Sequence, residues 1–143
     1  MRCEEIMKGT VECVSPKDTV LVAARKMRDD NIGFLPVCES GARVIGTVTD
    51  RDIVIRAVAD DQPVAKTKIA DVMTREVVAC RPSDEIAAAL ELMSKYQKSR
   101  MLVIDESGQL VGVISLSDLV QHEADAGAQT LRDVAARESQ VSH

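Results

Sequence analysis

The sequence predicts an α/β (α+β) fold made of two tandem β-α-β-β-α units. Three observations predict it. The stretches GTVTDRDIV (46–54) and GVISLSDLV (112–120) restate one pattern 66 positions apart, from Gly46 to Gly112. The same offset, without a gap, aligns Met7 with Met73, Pro16 with Pro82, Asp18 with Asp84, Met27 with Met93 and Asp52 with Asp118. Between these anchors, apolar residues recur first at helical and then at strand spacing in both copies.

Each element has a local reason. A short strand opens each copy, VECV at 11–14 and VVAC at 77–80. SPKD and RPSD follow, and Pro with a carboxylate in the first turn predicts that a helix opens there. Val20, Ala23, Ala24 and Met27 then line one helical face, as do Ile86, Ala89, Leu90 and Met93. FLPVC (34–38) and MLVI (101–104) are short strands, closed by the turns ESGA and DESGQ. RVIGTVT and LVGVIS are the next strands, and second helices start near Asp50 and Leu116. The domain reading is repeat 1 at 2–60, a linker at 61–68, repeat 2 at 69–125 and a polar tail at 126–143. In the tail, TLRDVAARES predicts a short helix capped by Thr130. One unit alone leaves an apolar face uncovered, so the two are expected to pack with pseudo-two-fold symmetry.

Composition narrows the function classes. The 143 residues include 18 basic and 23 acidic side chains, a net charge of −5, which argues against nucleic acid or an anionic membrane as partner. No apolar run is long enough to span a bilayer, and MRCEEIMKGT has no apolar core of a secretory signal, so a cytoplasmic protein is expected. Cys3, Cys13, Cys38 and Cys80 form no C-x-x-C pair, and His122 and His143 are the only histidines, so no metal site is predicted. Cys13, Cys38 and Cys80 lie beside apolar residues and read as buried reduced thiols. His122 has no nucleophile suggested beside it, so no catalytic residue is predicted and the chain is not read as an enzyme.

IM at 6–7, VM at 72–73, the two Pro-x-Asp turns, IGFLPV and the paired GTVTDRDIV and GVISLSDLV together resemble a tandem pair of cystathionine-beta-synthase (CBS) domains, or Bateman module, over about residues 2–125. The resemblance implies binding of an adenosine-containing effector (AMP, ADP, ATP, NAD(H) or S-adenosylmethionine) in the cleft between the repeats. It also implies a homodimer and no required cofactor.

Thr49-x-x-Asp52 and Ser115-x-x-Asp118 admit two readings. Each has the form of a capping box, with a hydroxyl and a carboxylate satisfying N–H groups at a helix start. Each also suits a ribose: one ionised carboxylate accepts from both hydroxyls of a vicinal diol, and Thr49 or Ser115 can donate to phosphate near the helix N-terminus. Arg51 follows the first strand end and Arg100 precedes the second repeat's MLVI; the resemblance implies that both meet phosphate. Phe34 and Tyr96 are the only aromatic residues, so a base would rest on aliphatic side chains: Val11, Leu35 and Pro36, or Val77, Met101 and Leu102. Leu102 stands where the family usually has the proline that repeat 1 keeps as Pro36. The leading function is a sensor that shifts its packing or dimer arrangement on binding and is read by a target protein. The alternative is a ligand-free scaffold for dimerisation or partner binding.

Overall fold

The computed structural model describes residues 1–9, 12–122 and 124–141, with side chains of the last segment at 129–138. The chain is mixed α+β and divides into two compact units, one of residues 12–77 and one of residues 1–11 with 78–143.

The 12–77 unit holds α1 (Val20–Asp30), β1 (Phe34–Glu39), β2 (Arg43–Thr49) and α2 (Asp50–Ile53), which runs on as a π-helical turn over Val54–Val58. The other unit holds β3 (Ala79–Cys80), α3 (Ile86–Tyr96), β4 (Arg100–Ile104), β5 (Leu110–Ser115), α4 (Leu116–Val120) and α5 (Ala124–Val141). β1 and β2 form an antiparallel pair. In the other unit β4 lies between a parallel β3 and an antiparallel β5. The same irregularity interrupts both hairpins, between Val37 and Cys38 and between Val103 and Ile104, so the repeat extends to its bulges.

The helix faces read from spacing are the buried ones. Val20, Ala23 and Met27 join Leu35, Val37 and Val48 in one core, and Ile86, Ala89, Leu90 and Met93 join Met101, Val103 and Ile114 in the other. Both first helices end on a left-handed residue, Asn31 and Gln97, which is how a helix closes without glycine.

Three local expectations are corrected. SPKD and RPSD do not open the helices. Each is a tight turn in which a carboxylate accepts a backbone N–H three residues back, Ser15 to Asp18 at 2.9 Å and Arg81 to Asp84 at 2.8 Å. The helices start later, at Val20 behind the Thr19 cap and at Ile86 behind Glu85. The opening strands are also shorter than read. Val14 makes a single parallel bridge to Val37, and only Ala79–Cys80, the end of the predicted strand, is strand in the second copy. Finally, Thr130 caps nothing. α5 begins at Ala124, and Thr130 is buried within it, its hydroxyl donating to the Leu90 carbonyl at 3.3 Å and accepting from Ser94 at 3.1 Å. A buried hydroxyl inside a helix needs partners from another element, and α3 supplies them.

The segment that leads each repeat folds with the other repeat. Residues 1–8 lie in the unit of repeat 2, and residues 67–74 lie in the unit of repeat 1. The Ile86 N–H donates to the Met1 carbonyl at 3.0 Å, and the Val20 N–H donates to that of Thr67 at 2.8 Å. Cys3 donates to Asp84 and Ile69 donates to Asp18, both at 2.8 Å. The leaders therefore satisfy N–H groups at each helix start that have no partner within their helix. They also insert fully buried side chains, Cys3 in one core and Ile69 and Val72 in the other. Burying Ile69 alone contributes roughly 2 kcal/mol.

Candidate functional site

Each candidate site is built where a strand runs into a short helix. At the first, Thr49 caps α2: its Oγ1 accepts the Asp52 N–H at 3.1 Å, and Asp52 Oδ2 accepts the Thr49 N–H at 3.0 Å. At the second, Ser115 caps α4: its Oγ accepts the Asp118 N–H at 3.3 Å, and Asp118 Oδ2 accepts the Ser115 N–H at 3.4 Å and the Ser115 hydroxyl at 2.8 Å. Both capping boxes are therefore complete.

The two carboxylates differ in what else holds them. The Thr74 hydroxyl lies 3.3 and 3.4 Å from the two oxygens of Asp52, and the Arg56 guanidinium lies 3.8 Å from Oδ1. Arg56 is itself fixed, donating to the carbonyls of Val72 and Met73 at 2.9 and 3.0 Å. Asp52 is thus enclosed by the leader of repeat 2. At Asp118 the equivalent leader position is Lys8, which pairs with Val113 as Thr74 pairs with Thr47. Lys8 has no hydroxyl to give, and among the described residues nothing hydrogen-bonds to Asp118 Oδ1.

Register places the charged candidates. Arg100 opens β4 directly opposite Ser115, so Arg100, Ser115 and Asp118 share one end of the hairpin. The Ser117 hydroxyl lies there too, 2.9 Å from that of Ser115. In the first repeat Phe34 stands opposite Thr49, and Arg51 is exposed on α2.

The apolar candidates lie mostly in the cores. Leu35 and Met101 are 1% and 0% exposed, Leu102 is buried, and Pro36 is buried opposite Thr47 with its carbonyl accepting the Val14 N–H. Val77 is half-buried in an irregular extended segment, and Val11 lies outside the described residues. A polar cavity of about 420 Å³ lies in the 12–77 unit against Arg56, Gln62, Lys66 and Asp71, away from the apolar candidates.

Sequence reasoning missed Thr74, Arg56 and Lys8. The repeat offset does align Thr74 with Lys8, and Arg56 lies four residues after Asp52, but only the leader exchange brings Thr74 to Asp52. Among the described residues no group of three or more His, Cys, Asp or Glu side chains is placed to hold a metal ion, and no helix is long and apolar enough to cross a membrane.

Residues 3–59 and 69–125 each match the CBS domain. The chain belongs to the CBS domain family. This CBS pair is 34% identical over 120 residues to the CBS domain-containing protein YhcV of Bacillus subtilis, covering 84% of each chain. It superposes on the crystal structure of Hypoxic Response Protein I with two coordinated zinc ions with a TM-score of 0.78 at 31% identity, covering 85% of this chain and 98% of that one. Two further CBS structures share the fold. CBSX2 in complex with AMP has a TM-score of 0.74 at 21% identity, with 87% of this chain and 96% of that one covered. The CBS pair of MJ0100, in complex with 5′-methylthioadenosine and S-adenosyl-L-methionine, has a TM-score of 0.75 at 23% identity, with 87% and 97% covered.

Proposed function

We propose that this CBS pair is a non-catalytic, cytoplasmic regulatory module that binds an adenosine-containing ligand, and that the working site is the one at Asp118. The observation that carries the reading is the difference between the two carboxylates. Asp118 Oδ1 has no hydrogen-bond partner among the described residues, whereas Thr74 already donates to Asp52. A ribose diol presents two donors, and a carboxylate already bound inside the protein accepts them less readily than one with a vacant oxygen. Arg100 stands opposite Ser115, where its guanidinium would meet a ligand phosphate. That two CBS-fold proteins are crystallised with AMP or with S-adenosyl-L-methionine supports the ligand class. AMP, ADP, ATP, NAD(H) and S-adenosylmethionine are the candidates. The bound state would be read by a change in packing within a homodimer and by a target protein.

The competing reading is a ligand-free scaffold, favoured by one specific observation: both motifs are complete helix caps built from the chain's own groups. A thermal-shift panel separates the two. With each ligand at about 1 mM, a site filled to about 100 times its dissociation constant stabilises by roughly 2.7 kcal/mol. The proposal expects a shift that Asp118→Ala abolishes and Asp52→Ala preserves. No shift with any of the five ligands would sink it in favour of the scaffold.

A further inference from the structure

The four cysteines form two pairs, one in each unit, and the pairs are unrelated by the repeat. Cys3 and Cys80 lie with their sulfurs 3.6 Å apart, both inside a core at 0% and 4% exposure. Cys13 and Cys38 lie closer, at 2.9 Å, and Cys13 is only half-buried. All four are free thiols.

We propose that Cys13 and Cys38 are a peroxide-responsive pair that closes to a disulfide, while Cys3 and Cys80 remain thiols. Geometry is the first support. A disulfide bond is about 2.05 Å long, so the sulfurs need to approach by less than about 1 Å. The backbone already holds them side by side. The Val14 N–H donates to the Pro36 carbonyl at 3.0 Å, and the Cys38 N–H donates to the Val14 carbonyl at 2.9 Å. The bulge after Val37 sets the course of β1 at this point.

Access and proton placement give the order of events. Cys13 is the more exposed residue of the two, and its sulfur accepts the Cys38 S–H, so Cys13 is the thiol that peroxide meets first. Burial, and then the neighbouring Cys13, push the Cys38 thiol up to about 12, so Cys38 does not react first by itself. The Cys13 thiolate attacks one oxygen of hydrogen peroxide. The O–O bond breaks, hydroxide leaves, and Cys13 becomes a sulfenic acid. Cys38 sulfur then attacks the Cys13 sulfur, the S–OH bond breaks, and the Cys38 proton leaves with that hydroxide as water. Two thiols and one peroxide give one disulfide and two waters. At Cys3 and Cys80 both sulfurs lie in the core, and burial raises both thiols, so the first step has no entry.

The test uses the full reduced chain, desalted and exposed to hydrogen peroxide, then digested without reductant and weighed. The expected product is one peptide pair linking Cys13 to Cys38, lighter by two hydrogens and restored by dithiothreitol. Cys3 and Cys80 should still carry free thiols when that link is complete. Cys38→Ser should leave Cys13 trapped as a sulfenic acid that dimedone labels, and Cys13→Ser should abolish both link and label. A Cys3–Cys80 link forming first, a Cys13 link to a second chain, or dimedone label on Cys38 in the Cys13→Ser variant would each overturn the proposal.

Discussion

The Thr74 hydroxyl lies within hydrogen-bond distance of both carboxylate oxygens of Asp52, while at Asp118, where Lys8 is the counterpart in the repeat, no hydrogen bond reaches Oδ1 among the described residues. Two copies of one motif therefore carry different structural burdens. Removing Asp52 strands the Thr49 N–H and the Thr74 hydroxyl and takes the carboxylate from beside Arg56, whereas removing Asp118 strands only groups of Ser115, its own cap residue. Asp52→Ala should destabilise by about 2 kcal/mol and Asp118→Ala by about 1 kcal/mol. Urea unfolding of the ligand-free variants checks the order, and equal losses would show that Thr74 adds nothing.

The two glycines that open the motifs should also respond unequally. A Cβ at Gly46 would sit 2.6 Å from the Thr74 carbonyl oxygen, a backbone atom held by the Thr47–Thr74 bridge. A Cβ at Gly112 would meet the Met7 side chain, with Sδ at 2.6, Cγ at 2.8 and Cβ at 3.0 Å; rotation can carry Sδ and Cγ away and leaves only the Cβ contact to be absorbed. Gly46→Ala should cost about 2 kcal/mol or more and Gly112→Ala clearly less, read from thermal midpoints.

Thr130 ties α5 to α3 through a buried hydroxyl that donates to Leu90 and accepts from Ser94. Thr130→Val keeps the shape and removes the hydroxyl, so a loss of about 1–2 kcal/mol is expected. Hydrogen exchange should then quicken along α5 while the β1–β2 hairpin is unchanged.

The thiols make stability fall in alkali. Cys38 has its pKa raised in the folded state from the ordinary 9.0 to about 12, by burial first and then by Cys13, and burial raises Cys80 likewise. A raised thiol pKa means that the folded chain holds the proton more tightly than the unfolded one. The stabilisation is complete below pH 9 and is lost as pH climbs from 9 towards 12. Urea midpoints in reductant at pH 8, 9.5 and 10.5 should decline, and Cys38→Ala should flatten part of that decline.

How much was legible in the sequence follows from the range over which each feature is encoded. The helix faces from Val20 to Met27 and from Ile86 to Met93 and the hairpins depend on residues close together in the chain, the repeat shows as one constant offset of 66, and the spacing at Thr49/Asp52 and Ser115/Asp118 offered the capping boxes as one of two readings. The helix starts were misplaced because Pro and Asp serve a turn as readily as a first helical turn, and Asp18 and Asp84 close turns. Cys13 and Cys38 are 25 positions apart, and no local pattern announces their contact. The leader exchange was invisible for the same reason. A strand of a few residues pairs equally well with either copy of a repeated partner, and only packing selects between them. That selection placed Thr74 on Asp52 and Lys8 beside Val113, so among the described residues two near-identical motifs became one carboxylate held through both oxygens and one held through Oδ2.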